Sequence, residues 1–177
     1  MESQILIAGF GGQGVLLIGQ ALARAAMLEG KEVSWIPSYG PEVRGGEANC
    51  GVVIAEESIG SPLVTEPVLL AAMNAPSLQK YASWVAQGGI LLYNASLADA
   101  PDVRKDIRVH AVPCNAIAEN AGSVRSANMV MLGAIIKLLP LVSVGSVMTT
   151  LYAMMGPDKA DLIAVNRAAV EKGMAAV

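Results

Sequence analysis

An apolar run, Gln4-Ile5-Leu6-Ile7-Ala8, breaks at Gly9-Phe10-Gly11-Gly12-Gln13-Gly14 and gives way at once to residues 15–28, where Leu16, Ile18, Ala21, Leu22, Ala25 and Leu28 recur at helical spacing. A strand that turns on glycines straight into a helix is the opening move of an α/β sheet, and Gly30 is placed to stop that helix. The run is continuous rather than alternating, as expected of a strand buried on both faces.

The alternation continues along the chain. Residues 31–37, with Val33, Trp35 and Ile36, predict a second strand, after which Pro37, Gly40 and Pro41 end regular structure. The loop that follows, Ser38-Tyr39-Gly40-Pro41-Glu42-Val43-Arg44-Gly45-Gly46-Glu47, and the loop over residues 9–14 then close two successive strands of one βαβ unit, so they should meet at one edge of the sheet. Residues 48–55 predict a strand, Glu56-Glu57-Ser58 a polar turn, and residues 59–64 a hairpin partner or short edge addition. Residues 68–73, 90–93 and 107–112 read as further strands. Ser77 is placed to cap a helix whose Leu78, Tyr81, Trp84 and Val85 share a face and which Gly88-Gly89 ends. Helices are expected near residues 115–120, 128–139, 144–155 and 158–174. The pattern predicts one domain over residues 1–177, a three-layer α/β/α arrangement around an open, mainly parallel, Rossmann-like sheet.

Composition narrows the function classes. Charged residues make up 15% of the chain and the net charge is -3, which leaves no basic field for nucleic acid. The longest apolar stretch, residues 129–142, is interrupted by Lys137 and Pro140 and falls short of a membrane span. Glu2 and the absence of a basic leader argue against a secretory signal, so a cytoplasmic address is expected. An apolar content of 54% with nine methionines predicts surface that another chain covers. Cys50 and Cys114 form no Cys-x-x-Cys pair and read as reduced, buried residues.

Gly9, Gly11 and Gly14 fit the spacing G-x-G-x-x-G, which can turn backbone amides and a helix N-terminus toward an anion. The second half of a dinucleotide fingerprint is missing: Ile36-Pro37-Ser38 closes the second strand without an acid for a ribose, and Glu29 and Glu32 precede that strand. The same glycines also serve close helix-to-strand packing, with Gln13 bonding loop carbonyls. Arg44 could clamp a phosphate or carboxylate, with Gly45 and Gly46 leaving room for close approach, or Glu42 and Glu47 could neutralise it. Tyr39 suits an interface. His110, the one histidine, reads as structural, and Asp99, Asp102, Arg104, Lys105 and Asp106 as a solvated turn. Asn128 caps an apolar helix or serves an interface. No set of reacting groups or metal ligands emerges. The residues leave open a non-catalytic subunit, an autonomous dinucleotide-binding oxidoreductase and a small-anion binding module.

The segments Ile7 to Gly14 and Ser38 to Gly46 resemble the gamma subunit of 2-oxoacid:ferredoxin oxidoreductases. So do Ala48 to Ile54, Asn74-Ala75-Pro76-Ser77 with Tyr81, Gly88-Gly89, and Asn128-Met129-Val130-Met131-Leu132-Gly133. The resemblance implies an enzyme that oxidatively decarboxylates a 2-oxoacid to an acyl-coenzyme A and reduces ferredoxin, with 2-oxoglutarate the first substrate and pyruvate and branched-chain 2-oxoacids next. Thiamine diphosphate, magnesium and iron–sulfur clusters would sit on alpha, beta and ferredoxin-like delta partner chains, since two separate cysteines cannot make a cluster's ligand set. This chain would hold no cofactor alone. It would complete the active-site region with its loops, Gly9, Gly11, Gly12, Gln13, Gly14, Ser38, Tyr39, Gly40, Glu42, Arg44, Gly45, Gly46 and Asn128, turned toward partner subunits and coenzyme A.

Overall fold

The computed structural model describes residues 2–40 and 46–177. Strands β1 (Glu2–Phe10), β2 (Glu32–Tyr39), β3 (Glu47–Ala55), β4 (Leu69–Ala72), β5 (Ile90–Asn94) and β6 (Arg108–Val112) form one sheet in the order β2-β3-β1-β4-β5-β6. Helices are α1 (Val15–Leu28), α2 (Ala75–Tyr81), α3 (Cys114–Asn120), α4 (Ala127–Leu138), α5 (Val144–Met155) and α6 (Ala160–Ala175). Among the described residues no helix is long and apolar enough to cross a membrane.

β1, β4 and β5 are apolar on both faces because each face meets a different core. Ile5, Ile7, Leu69, Ala71, Ile90 and Leu92 join α1, α3, α4, α5 and α6 on one side. Leu6, Ala8, Leu70, Ala72, Leu91 and Tyr93 meet α2 and its 3₁₀ extension Ala82–Trp84 on the other. The three-layer expectation is met, with five α-helices on one face and one short α-helix opposite among the described residues. α4 is buried almost all round, as its uniform apolarity requires. Lys137 is its exposed residue.

The sheet differs from a simple parallel one in a way that matters for the loops. β1 pairs in parallel with β4, β4 with β5 and β5 with β6, but β3 runs antiparallel between β1 and β2. β1 and β2 therefore run the same way without touching. The second glycine loop is the tip of the β2–β3 hairpin rather than the end of a parallel βα crossover. β2 continues through Pro37 to Tyr39, opposite Cys50 and Ala48. An edge strand tolerates proline because the missing N–H need not face a partner.

Other boundaries shift for local reasons. Residues 59–64 add no strand, since β3 already has two neighbours. They form a loop tied to β1, with Gly60 N donating to Glu2 Oε1 (2.6 Å) and Thr65 N to Gln4 Oε1 (2.9 Å). Asn74, not Ser77, caps α2: its Oδ1 accepts from Ser77 N (2.9 Å). The helix stops at Tyr81, and Trp84 lies half exposed instead of sharing the buried face of Leu78, Tyr81 and Val85. Gly88-Gly89 is then a turn into β5. α6 begins at Ala160 after a one-turn 3₁₀ helix, Pro157–Lys159.

Candidate functional site

The carboxyl ends of β1 and β4 are where the chain leaves the sheet toward opposite faces, α1 on one side and α2 on the other, the place where open α/β sheets form a crevice. Here the crevice is stapled. Gln13 folds back so that its Oε1 accepts from Phe10 N (2.7 Å) and Asn74 Nδ2 (2.8 Å), while its Nε2 donates to Met73 O (3.2 Å). Gly9 has to be glycine, because a Cβ would stand 2.7 Å from Gln13 Oε1 and 2.8 Å from Val15 Cγ2. Gly12 and Gly14 take positive φ, 100° and 74°.

The two glycine loops meet. Gly11 N donates to Gly46 O (2.9 Å), and Gly40 N to Glu47 O (3.2 Å). Ser38 is exposed at the end of β2, and Tyr39 is 67% exposed. Glu42, Arg44 and Gly45 lie outside the described residues. Between the loops and the start of α1 runs an open cleft of ≈ 560 Å³, walled by Phe10, Gly12, Leu16, Leu17, Tyr39 and Ala48. Its described lining carries no charged side chain.

Asn128 is not the cap of α4. Ser126 holds that position, and Asn128 lies in the first turn, 6% exposed, with its amide packed on Gly14. It thus packs against the end of the glycine loop. A Cβ at Gly14 would collide with this amide while its backbone is left-handed. Gly14→Ala is therefore expected to cost about 2–3 kcal/mol, of which about 1 kcal/mol is the left-handed backbone. Asn128→Ala should return the remainder, so a double-mutant cycle by urea unfolding reads a coupling of about 1–2 kcal/mol. Strict additivity would show that the amide does not press on the turn.

Sequence reasoning missed two groups. Asn74, Asn94 and Asn115 line the carboxyl ends of the strands. Asn94 donates to Asn115 Oδ1 (2.8 Å) and accepts from Ser96 N (3.1 Å) and Cys114 N (3.0 Å). The available signal was an asparagine directly after Met73, Tyr93 and Cys114. The second group is Glu47 with Lys80, whose Nζ lies 2.7 Å from both carboxylate oxygens, and Tyr81, whose hydroxyl donates to Glu47 Oε1. Lys80, then Tyr81, holds the Glu47 carboxyl below the usual carboxylate range, and Glu47 in turn raises Lys80. With the folded value lowered, the pair's small stabilising contribution is present above the ordinary carboxylate range and fades as pH falls through the lowered value. Glu47 is thus engaged with α2, while the alternatives for Arg44, an anion clamp or neutralisation by Glu42 and Glu47, fall on a residue outside the described ones.

The remaining candidates carry no chemistry. Cys50 and Cys114 are buried, and desolvation pushes both thiols up to about 12, far from thiolate at neutral pH. His110 lies half-buried on the edge strand β6. No group of three or more His, Cys, Asp or Glu side chains comes together among the described residues. Among the described residues the strand and acid of a dinucleotide fingerprint are not formed beside the first loop: the strand next to β1 is antiparallel, and the acid that begins it, Glu47, turns to the α2 face.

These features define a three-layer α/β protein whose glycine loops are joined to one another beside an apolar cleft. The chain belongs to the pyruvate ferredoxin/flavodoxin oxidoreductase family, which it matches over residues 4–176. It is 50% identical over 137 residues to the ketoisovalerate oxidoreductase subunit VorA of Methanothermobacter thermautotrophicus, an alignment covering 77% of this chain and 28% of that relative. It is 38% identical to the 2-oxoglutarate synthase subunit KorC of Methanocaldococcus jannaschii, over 81% of this chain and 78% of the relative. The crystal structure of a keto/oxoacid ferredoxin oxidoreductase gamma subunit from Geobacter sulfurreducens superposes with a TM-score of 0.82 at 28% identity, covering 98% of this chain and 96% of that one. The chain therefore spans less than a third of the VorA relative and most of the other two.

Proposed function

We propose that the chain is the gamma-type subunit of a multisubunit 2-oxoacid:ferredoxin oxidoreductase and is inactive alone. The observation that carries this reading is the superposition on a whole gamma subunit over 98% of the chain. The carbon–carbon cleavage and electron transfer belong to the thiamine diphosphate and iron–sulfur centres of partner chains. The residues of this chain shape the edge that meets them, and the described part of that edge offers backbone amides and an apolar cleft rather than groups for proton transfer. Arg44 and the glycine amides steady a negative group there, coenzyme A or a partner's acidic group. The substrate we assign first is a branched-chain 2-oxoacid, ahead of the 2-oxoglutarate expected from the resemblance, because identity to the ketoisovalerate relative is 50% against 38% for the 2-oxoglutarate relative.

Co-expression with neighbouring genes and affinity purification tests the reading. Chains bearing thiamine diphosphate and iron–sulfur centres should co-purify, and the complex should reduce ferredoxin with 2-ketoisovalerate faster than with 2-oxoglutarate or pyruvate. Arg44→Ala should raise the KM for coenzyme A or weaken assembly. A stoichiometric nicotinamide or flavin on the isolated chain, with no partner recovered, would overturn the assignment in favour of an autonomous dinucleotide enzyme.

A further inference from the structure

Side chains of a strand alternate between faces, and β3 uses the alternation at its first four residues. Ala48 and Cys50 turn to the α1 side, where Ala48 walls the cleft. Glu47 and Asn49 turn to α2, where both reach Tyr81. The Tyr81 ring is 4% exposed in the core with Leu6, Ala8 and Leu91, and stands edge-on to Trp84 with centroids 5.0 Å apart at 88°. Its hydroxyl is thus the tip of a rigid arm. Asn49 Nδ2 donates to that oxygen (3.1 Å), which leaves the phenolic proton for Glu47. Lys80 closes on the same carboxylate from solvent, its Nζ 5.1 Å from the Tyr81 centroid.

Glu47 is also the ladder partner of Phe10, and the residue before it, Gly46, supplies the carbonyl that holds Gly11 N. One peptide unit therefore separates the clamped carboxylate from the bond joining the two glycine loops. We propose that Lys80, Tyr81 and Asn49 are positioning residues: by locking Glu47 they fix Gly46 against Gly11 and set the shape of the docking edge from the opposite face of the sheet. The proposal deepens the reading of that edge as the partner-facing one and rests on it for its consequence in the complex. The Lys80 and Glu47 side chains are 53% and 41% exposed, so an ion pair of this kind adds little to global stability. What it changes is where the loop sits.

Amide hydrogen exchange by NMR on the isolated 177-residue chain reads the clamp directly. In Lys80→Met and Tyr81→Phe, exchange at Gly11 should rise about tenfold while the urea midpoint moves little, since both variants keep their buried carbons. Lys80→Arg, which can hold a carboxylate with two donors, should restore protection. In the co-purified complex the first two variants should weaken partner association about fivefold, and the third should not. Unchanged Gly11 exchange in both loss variants, or exchange that rises only in step with global unfolding, overturns the proposal. If no thiamine-dependent partner is recovered at all, the proposed function fails, and the exchange result still decides whether the clamp holds the loop.

Discussion

Gly133→Ala should destabilise the protein by about 2–4 kcal/mol, the opposite of what alanine usually does in a helix. In an exposed helix the exchange gains about 1 kcal/mol from reduced backbone freedom. At Gly133 the new methyl would lie on the carbonyl oxygen of Val170, and at Gly173 on that of Val130. The two helices α4 and α6 cross backbone against backbone, and neither carbonyl is the end of a flexible side chain that can step aside. Accommodation requires parting the helices, which would open the core around Val130, Ala169 and Val170, all fully buried. A loss of that size lowers the midpoint of thermal unfolding by roughly 6–12 °C in a chain of this length. The double variant Gly133→Ala with Gly173→Ala should lose less than the sum, because helices already parted by one methyl meet the second at lower cost. A stabilised Gly133→Ala would show that the crossing has room for a methyl group.

The second large effect is expected at Gln13. Gln13→Leu keeps much of the volume and removes the staple across β1 and β4, leaving Phe10 N and Asn74 Nδ2 without the Gln13 acceptor and Met73 O with only the longer bond from Asn94 Nδ2 (3.4 Å). Unsatisfied groups in a part-buried site cost about 1–3 kcal/mol each before water or rearrangement relieves some of them, so a loss of about 2–4 kcal/mol in urea unfolding is expected. Gln13→Glu separates the contributions. Its carboxylate still accepts from Phe10 N and Asn74 Nδ2, but offers no donor to Met73 O until it is protonated. This variant should therefore be intermediate at neutral pH and approach the parent protein as pH falls through the carboxyl range. A loss in Gln13→Glu that does not depend on pH would mean that the Met73 bond contributes nothing.

How far these features are legible in the chain depends on whether their cause is local. Helix α1 matches residues 15–28 as read from periodicity, because a buried face repeats along consecutive turns, and α5 matches residues 144–155, which Pro140 and Gly156-Pro157 set off as breakers. The apolar runs of β1, β4 and β5 are equally plain. Strand order is not, since nothing in the composition of β3 says that it enters between β1 and β2. The second glycine loop therefore reads as a strand end when it is a hairpin tip. The first loop is visible from its glycine spacing, and the likeness to a known family points to Asn128, though not to its packing on Gly14. The pair of Glu47 and Lys80 has no local signature, being joined only when α2 docks beneath the hairpin. Residues 59–64 show the reverse error: a strand-like stretch denied strand geometry because every neighbouring place in the sheet was taken.

The antiparallel insertion of β3 has a kinetic consequence. β2 is hydrogen-bonded to the sheet through β3 alone, so neither strand can leave by itself without orphaning the other's ladder. The hairpin should open and reclose as one cooperative unit, carrying both walls of its tip, and its amides should exchange at a common rate distinct from those of β4 and β5. Assembly with another chain at this edge would then slow the opening of a whole hairpin, and the lifetime of the closed hairpin, more than its resting shape, would report on whether the subunit is engaged.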